Sequence, residues 1–298
     1  MSSSSKVITL GTAGGPMQNP QRWQPAHLLV HGEEKILIDC GEGAMGQLVR
    51  AGVEYREINH LFLTHHHFDH IGSLFAFFGL SMMTQRPNTL TIYGPVGTQS
   101  IVDGLCDACN VPNDIGFGVP GQNLPHPRDF TKVVEIAPGD EIELGDIKMS
   151  CCENTHFRTE EHFGEDGHIS LSLRFDLPDR SVVFTGDTGP CEALEKLSVG
   201  ADLMIGELMD IDVTMQRVRA RNASIPEERL QMIASHLSKH HIGAEELGEL
   251  ASRANVKEVV AVHFAPGIAT PDTADSYIER VKKVYSGKFS IGQDLAEY

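Results

Sequence analysis

The chain contains no run of about 18 apolar residues, the length a bilayer-spanning helix needs, so no membrane partner is expected. Its start, Met1-Ser2-Ser3-Ser4-Ser5-Lys6, lacks the apolar core of a secretory signal, and residues 1–6 read as a disordered tail. Positive charge is scarce: 24 Lys and Arg face 41 Asp and Glu, a formal net charge of -17. That balance disfavours tight nonspecific binding to nucleic acid, which depends on neutralising phosphates, although a local basic site stays open. Cys40, Cys106, Cys109, Cys151, Cys152 and Cys191 show no disulfide spacing, and a chain this long folds without such a framework. A cytoplasmic location is the expectation. The lone Cys106-x-x-Cys109 allows redox or zinc chemistry but reads better as buried thiols on one helical face.

What is present is an ordinary globular composition, 298 residues with 41% hydrophobic, enough for one large domain or two small ones. Short apolar runs that read as strands alternate with helical patterns in two halves, and no linker separates them. Residues 7–298 therefore read as one α/β domain. Residues 110–130, rich in Pro, Gly and Asn, read as an inserted loop beside the core.

The organising stretch is Thr64-His65-His66-His67-Phe68-Asp69-His70. It lies between the apolar runs Leu61-Phe62-Leu63 and Ile71–Phe78, which reads as a buried strand, a polar turn and a helix. A solvated tag remnant would sit at a terminus instead. Three imidazoles and a carboxylate crowd this turn, and such donors suit zinc or iron. His65 and His67, two apart as they leave a strand, can share one metal, while Asp69 and His70 can face a second. Three more candidates end apolar runs: His156 in Thr-His-Phe, Asp187 in Thr-Gly-Asp-Thr and His263 in Val-His-Phe. Asp39, in a glycine-rich turn, is either part of a tight connection or a hydrogen-bonding brace for the metal loops.

The H-x-H-x-D-H spacing resembles the signature of the metallo-β-lactamase superfamily. Ile8-Thr9-Leu10-Gly11-Thr12 and Asp39-Cys40-Gly41-Glu42-Gly43 resemble its ribonuclease Z group, and the arylsulfatase-like members share much of the pattern. The resemblance covers roughly residues 7–100 and 147–267. It implies an αββα sandwich of two mixed sheets with outer helices, and two zinc ions, with manganese or iron as substitutes. It also implies that His65, His67 and His156 hold one metal, that Asp69, His70 and His263 hold the other, and that Asp187 bridges them. His66 has no ligand role in this scheme and is expected either to support the ligands through hydrogen bonds or to be structural. Ser235-His236-Leu237-Ser238 resembles the group's His-Ser/Thr segment, which makes His236 the expected catalytic acid and Glu207 the carboxylate that orients it. Asp69 is expected to act in catalysis as well as in binding.

The expected activity is hydrolysis of a phosphodiester or related anionic ester in a small or nucleotide-type substrate. Hydroxide held by two metals would attack, and a histidine titrating near the working pH would protonate the leaving oxygen. The basic cluster Arg217, Arg219 and Arg221 can meet an anionic substrate or simply form a solvated face. The group's long tRNA-gripping arm, expected between His156 and Asp187, has no room here, which argues against tRNA as the specific substrate. Relatives of this type are commonly homodimers. Two other readings differ in chemistry: a lactone or β-lactam hydrolase would not need His236 or Glu207, and an iron redox module would need a flavin partner domain that this chain lacks.

Overall fold

The structure is a computed structural model that describes residues 4–164, 167–265 and 271–298. In chain order its strands are β1 (Lys6–Gly11), β2 (Ala26–His31), β3 (Glu34–Ile38), β4 (His60–Phe62), β5 (Leu90–Gly94), β6 (Thr131–Glu135), β7 (Glu141–Leu144), β8 (Ile147–Glu153), β9 (Leu171–Asp176), β10 (Ser181–Phe184), β11 (Leu203–Glu207), β12 (Glu258–Val262), β13 (Lys288–Ile291) and β14 (Ala296–Glu297). They form two seven-stranded sheets, ordered β14-β1-β2-β3-β4-β5-β6 and β13-β12-β11-β10-β9-β8-β7. Each sheet belongs to its own compact unit. The first unit is the chain up to Gly11 with Trp23–Ile136 and Asp294–Tyr298, and the second is Thr12–Arg22 with Ala137–Gln293.

Both sheets are mixed. In the first, β1, β2 and β3 pair antiparallel while β3 to β6 run parallel. In the second, β7 to β10 pair antiparallel and β10 to β13 run parallel. Burial follows the pairing. The antiparallel strand β8 alternates, burying Ile147, Met149 and Cys151 while Lys148 is exposed. The parallel strands β10 and β11 are buried at every residue, as strands covered on both faces are.

The helices of the first unit are α1 (Ala44–Arg50), α2 (Phe68–Ile71), α3 (Leu74–Met83), α4 (Thr98–Ala108), α5 (Asn110–Ile115) and α6 (Pro127–Phe130). Those of the second are α7 (Glu192–Leu197), α8 (Ile211–Arg221), α9 (Glu227–His240), α10 (Ala244–Arg253) and α11 (Pro271–Lys282). α10 shows why such a segment is helical. Ala244, Leu247, Gly248, Leu250 and Ala251 recur on one buried face, and the Glu246 carboxylate accepts the Gly243 N–H at 2.9 Å to close the first turn. The first unit's core contains Leu61, Leu63, Phe77, Phe78 and Ile92, and the second unit's contains Val183, Met204, Leu247 and Val259. Each such side chain contributes about 1.5–3 kcal/mol on burial.

Two expectations need amending. Residues 1–3 of the expected tail lie outside the described residues, but Ser5 is buried with its hydroxyl 2.7 Å from His31 Nδ1, and Lys6 begins β1. The segment 110–130 contains α5 and α6 rather than loop alone. His126 opens α6 by accepting the Arg128 N–H while Asp129 accepts the His126 N–H, a reciprocal cap that Pro127 supports. Cys106 and Cys109 are buried free thiols, as read from their spacing, and burial raises the pKa of both.

Candidate metal centre

His241 follows α9, but Glu207 and the seven candidate ligands stand at or just beyond the carboxyl end of a strand, a parallel one in every case but that of His156, which follows the antiparallel β8. The carboxyl end is where parallel sheets present their loops for ligand binding. In the first unit, β4 ends at Phe62 and the chain turns through Thr64 and His65 into α2, which His67 caps. His65, Asp69 and His70 are buried and His67 is exposed. The His65 ring centroid lies 4.9 Å from that of His67 and 4.1 Å from that of His70.

Asp39 fastens this cluster. It follows β3 in the left-handed region, φ 58°, which is strained for a non-glycine residue. In return its carboxylate accepts the Thr64 N–H at 2.8 Å and the His70 Nδ1–H at 2.8 Å. Main-chain bonds from Asp39 N to Phe62 O and from Cys40 N to His70 O, 2.8 and 2.7 Å, bind the two turns together. A side chain at Gly41 would collide with the Asp69 and Pro25 carbonyl oxygens, so that turn requires glycine. The Asp39 bond holds the His70 proton on Nδ1 and leaves Nε2 as the donor nitrogen for a metal. The His66 Nε2 donates to the Thr98 hydroxyl at 2.8 Å, which in turn donates to Pro95 O at 2.7 Å.

In the second unit, His156, Asp187, Glu207, His241 and His263 are all buried. Asp187 Oδ2 lies 3.1 Å from His263 Nε2 and 3.7 Å from His156 Nε2. Ligand atoms of Asp187, Glu207, His241 and His263 all fall within 4.8 Å of one another. His156 Nδ1 donates to His240 O at 3.1 Å, which again leaves Nε2 as the donor nitrogen. Asn154 accepts the His156 N–H at 3.2 Å and donates to Ser172 Oγ and Thr185 O, both at 3.1 Å, so the loop that carries His156 is tied to the sheet. His263 adopts φ 57°, a second strained position in a candidate ligand loop.

The Glu207 pairing corrects the sequence reading. His236 sits on the exposed face of α9 with its ring 4.5 Å from that of His240. Glu207 instead accepts His241 Nδ1–H at 2.9 Å, Ile242 N–H at 3.1 Å and Thr188 N–H at 3.1 Å. Burial pushes the Glu207 carboxyl up and the His241 charge opposes that, but the pKa stays raised, with the neighbouring Asp187 adding to it. Burial works to lower the His241 pKa, yet the charge and hydrogen bond of Glu207 outweigh it and hold the imidazole above its usual value.

Ser235-His236-Leu237-Ser238 spells the sought motif but lies within the helical stretch of α9. The signal for His241 was its place just after α9 and two residues before Gly243, where the chain enters α10, the Ala-containing helix that leads to β12. The three arginines all lie on α8. Arg219 is bound to the Glu227 carboxylate by two bonds, 3.0 and 2.9 Å, so its guanidinium is already occupied by an anion from its own chain.

Residues 34–264 match the model of the beta-lactamase superfamily domain, and the chain belongs to that superfamily. Within it the chain is ribonuclease Z-like, of the metal-dependent hydrolase class. The ribonuclease Z of Mycobacterium bovis (strain BCG / Pasteur 1173P2) is 28% identical over 296 residues, covering 97% of this chain and 96% of that protein. The metallo-β-lactamase-fold protein YhfI of Bacillus subtilis superposes with a TM-score of 0.71 at 19% identity, covering 99% of this chain and 98% of that one. The short form of human tRNase Z gives 0.63 at 19% identity, with 98% of both chains covered. The fold is thus the metallo-β-lactamase-type α/β sandwich. The mycobacterial relative matches over nearly its whole length, so the lack of a long arm does not set this chain apart from it. The argument against tRNA loses its basis. Among the described residues, no helix is long and apolar enough to cross a membrane.

Proposed function

We propose that this chain is a binuclear metal-dependent phosphodiesterase of the ribonuclease Z type. His65, His67 and His156 would hold one ion, Asp69, His70 and His263 a second, and Asp187 would bridge them. Imidazole and carboxylate donors fit zinc, and also manganese or iron. The fit is supported by the bonds that fix the His70 and His156 protons on Nδ1 and leave each Nε2 lone pair available. Ions bound there would supply a water that ionises near neutral pH and Lewis-acid stabilisation of the phosphoryl oxygens.

The observation that carries the reading is the buried Glu207–His241 pair beside Asp187. Glu207 already accepts three N–H groups, the His241 Nδ1–H among them, so we assign it to orienting His241. His241, protonated, would give its Nε2 proton to the leaving alkoxide. Diester hydrolysis expels a poor leaving group and needs that proton, whereas opening an activated lactam or lactone does not. Asp69 is assigned both as a ligand and as the carboxylate that accepts a proton from the attacking water. Arg217 and Arg221 are assigned to attracting an anionic substrate. Residues 7–298 would then act as one hydrolase domain, cytoplasmic and homodimeric, with tRNA precursors among its candidate substrates.

The test is elemental analysis of the purified protein together with turnover of an aryl phosphodiester, an aryl sulfate, a lactone, a β-lactam and a tRNA precursor with a 3′ trailer. The reading expects about two divalent ions per chain and chelator-sensitive cleavage of the phosphodiester substrates. Turnover of only the lactone or β-lactam would overturn it.

A further inference from the structure

Phe68 lies between the candidate ligands His67 and Asp69, yet 74% of its surface is exposed. Its backbone begins α2, so its position is fixed by the same turn that fixes the ligands. Its ring edge rests on Gly72, where an added Cβ would stand 3.4 Å from Phe68 Cε1. The same hypothetical Cβ would lie 3.5 Å from Glu42 N, so Gly72 sits between the ring and the Glu42–Gly43 turn.

That turn also carries Trp23, the chain's single tryptophan, which is 39% exposed. Its indole lies on Gly43, whose φ of 89° and lack of a side chain leave the backbone open to the ring; any Cβ there would strike the indole. Asp294 accepts the Trp23 N–H at 2.7 Å and fixes its backbone. Two aromatic rings are therefore seated on glycines around one turn, each with much of its surface open to water. Rings held this way lose little freedom when a flat ligand covers them. Stacking on aromatic side chains is how proteins hold nucleobases without reading their sequence.

We propose that Phe68 and Trp23 form a platform that stacks a nucleobase next to the scissile phosphodiester and so gives the enzyme a preference for nucleotide over simple alkyl esters. The proposal rests on the phosphodiesterase reading for its consequence in catalysis, but not for base binding itself. Phe68 acts on the base and carries no chemical step.

The first experiment compares thymidine 5′-(p-nitrophenyl phosphate) with methyl p-nitrophenyl phosphate in wild type, Phe68→Ala and Phe68→Tyr. The leaving group is the same, so only the base differs. Phe68→Ala should lower kcat/KM for the thymidine ester about 5- to 100-fold, leave the methyl ester within about threefold, and be rescued by Phe68→Tyr. Equal losses on both esters would overturn the platform.

The second experiment needs no turnover. The single tryptophan makes intrinsic fluorescence a report on Trp23. Adenosine monophosphate should quench it saturably and ribose 5-phosphate should not, with Phe68→Ala weakening the adenosine monophosphate titration. If wild type hydrolyses neither ester, the phosphodiesterase reading fails while this titration still decides the platform. Absence of base-dependent quenching would overturn it.

Discussion

Glu207 Oε1 lies 2.9 Å from His241 Nδ1, and both groups are buried, Glu207 at the end of β11 and His241 just after α9. The bond fixes the imidazole with its Nε2 free to carry a transferable proton. His241→Ala should therefore lower turnover of a diester with an alkoxide leaving group, such as the tRNA precursor, by about a hundred- to ten-thousand-fold while the metal content measured by elemental analysis stays the same. His236→Ala, on an exposed helix face, should change turnover by less than about twofold. Loss of metal in His241→Ala would make it a ligand instead of the acid, and a large defect in His236→Ala would restore the sequence reading.

The same pair sets a pH dependence. His241 donates only when protonated, so turnover falls as pH rises through its pKa, which the Glu207 charge holds above the usual imidazole value. Glu207→Gln keeps the size of the side chain but removes the charge. The His241 pKa then drops, and the alkaline limb of the kcat–pH profile should move to lower pH. An unmoved or upward-shifted limb would show that His241 does not set it.

Asp39 acts on the first unit's cluster from outside it, through His70 and Thr64. Asp39→Asn retains one acceptor oxygen but weakens the bond that fixes the His70 ring. Metal affinity, measured by competition with a chromogenic chelator, should fall about 10- to 100-fold, with the folded content by circular dichroism retained. Affinity equal to wild type would reduce Asp39 to a turn residue.

The two half-clusters were legible because their residues follow apolar runs at strand ends. The strands β2, β3, β10, β11 and β12 are short and strongly apolar, which made them visible without any structure. The histidine partner of Glu207 was misread for a physical reason. Ser235-His236-Leu237-Ser238 resembles a motif as a string, but a motif's chemistry depends on which element carries it, and this string falls on an exposed helix face. Seeing that His236 lies within α9 and that His241 follows it depends on where α9 ends, and helix boundaries are what periodicity fixes least well. α5 and α6 were hidden by Pro, Gly and Asn, residues that mark loops when scattered but also cap and start short helices.

Gly14 gives a test of the second unit's cluster that leaves its titratable groups untouched. An added Cβ at Gly14 would stand 2.7 Å from both Cε1 and Nδ1 of His263 and 2.9 Å from Ala265 Cβ, all inside normal contact. His263 already holds a left-handed backbone, φ 57°, and lies on a buried loop beside Phe264, whose N–H bonds to Thr12 O at 3.0 Å. The ring has little freedom to move aside without losing its 3.1 Å approach to Asp187. Catalytic constellations tolerate displacements of only about 0.5 Å. Gly14→Ala should therefore lower diester turnover more than tenfold and weaken binding of one metal equivalent, with a change in Tm of only a few degrees, because the clash is local. Wild-type turnover and metal stoichiometry in that variant would show that the position of His263 is not critical and would remove it from the proposed ligand set.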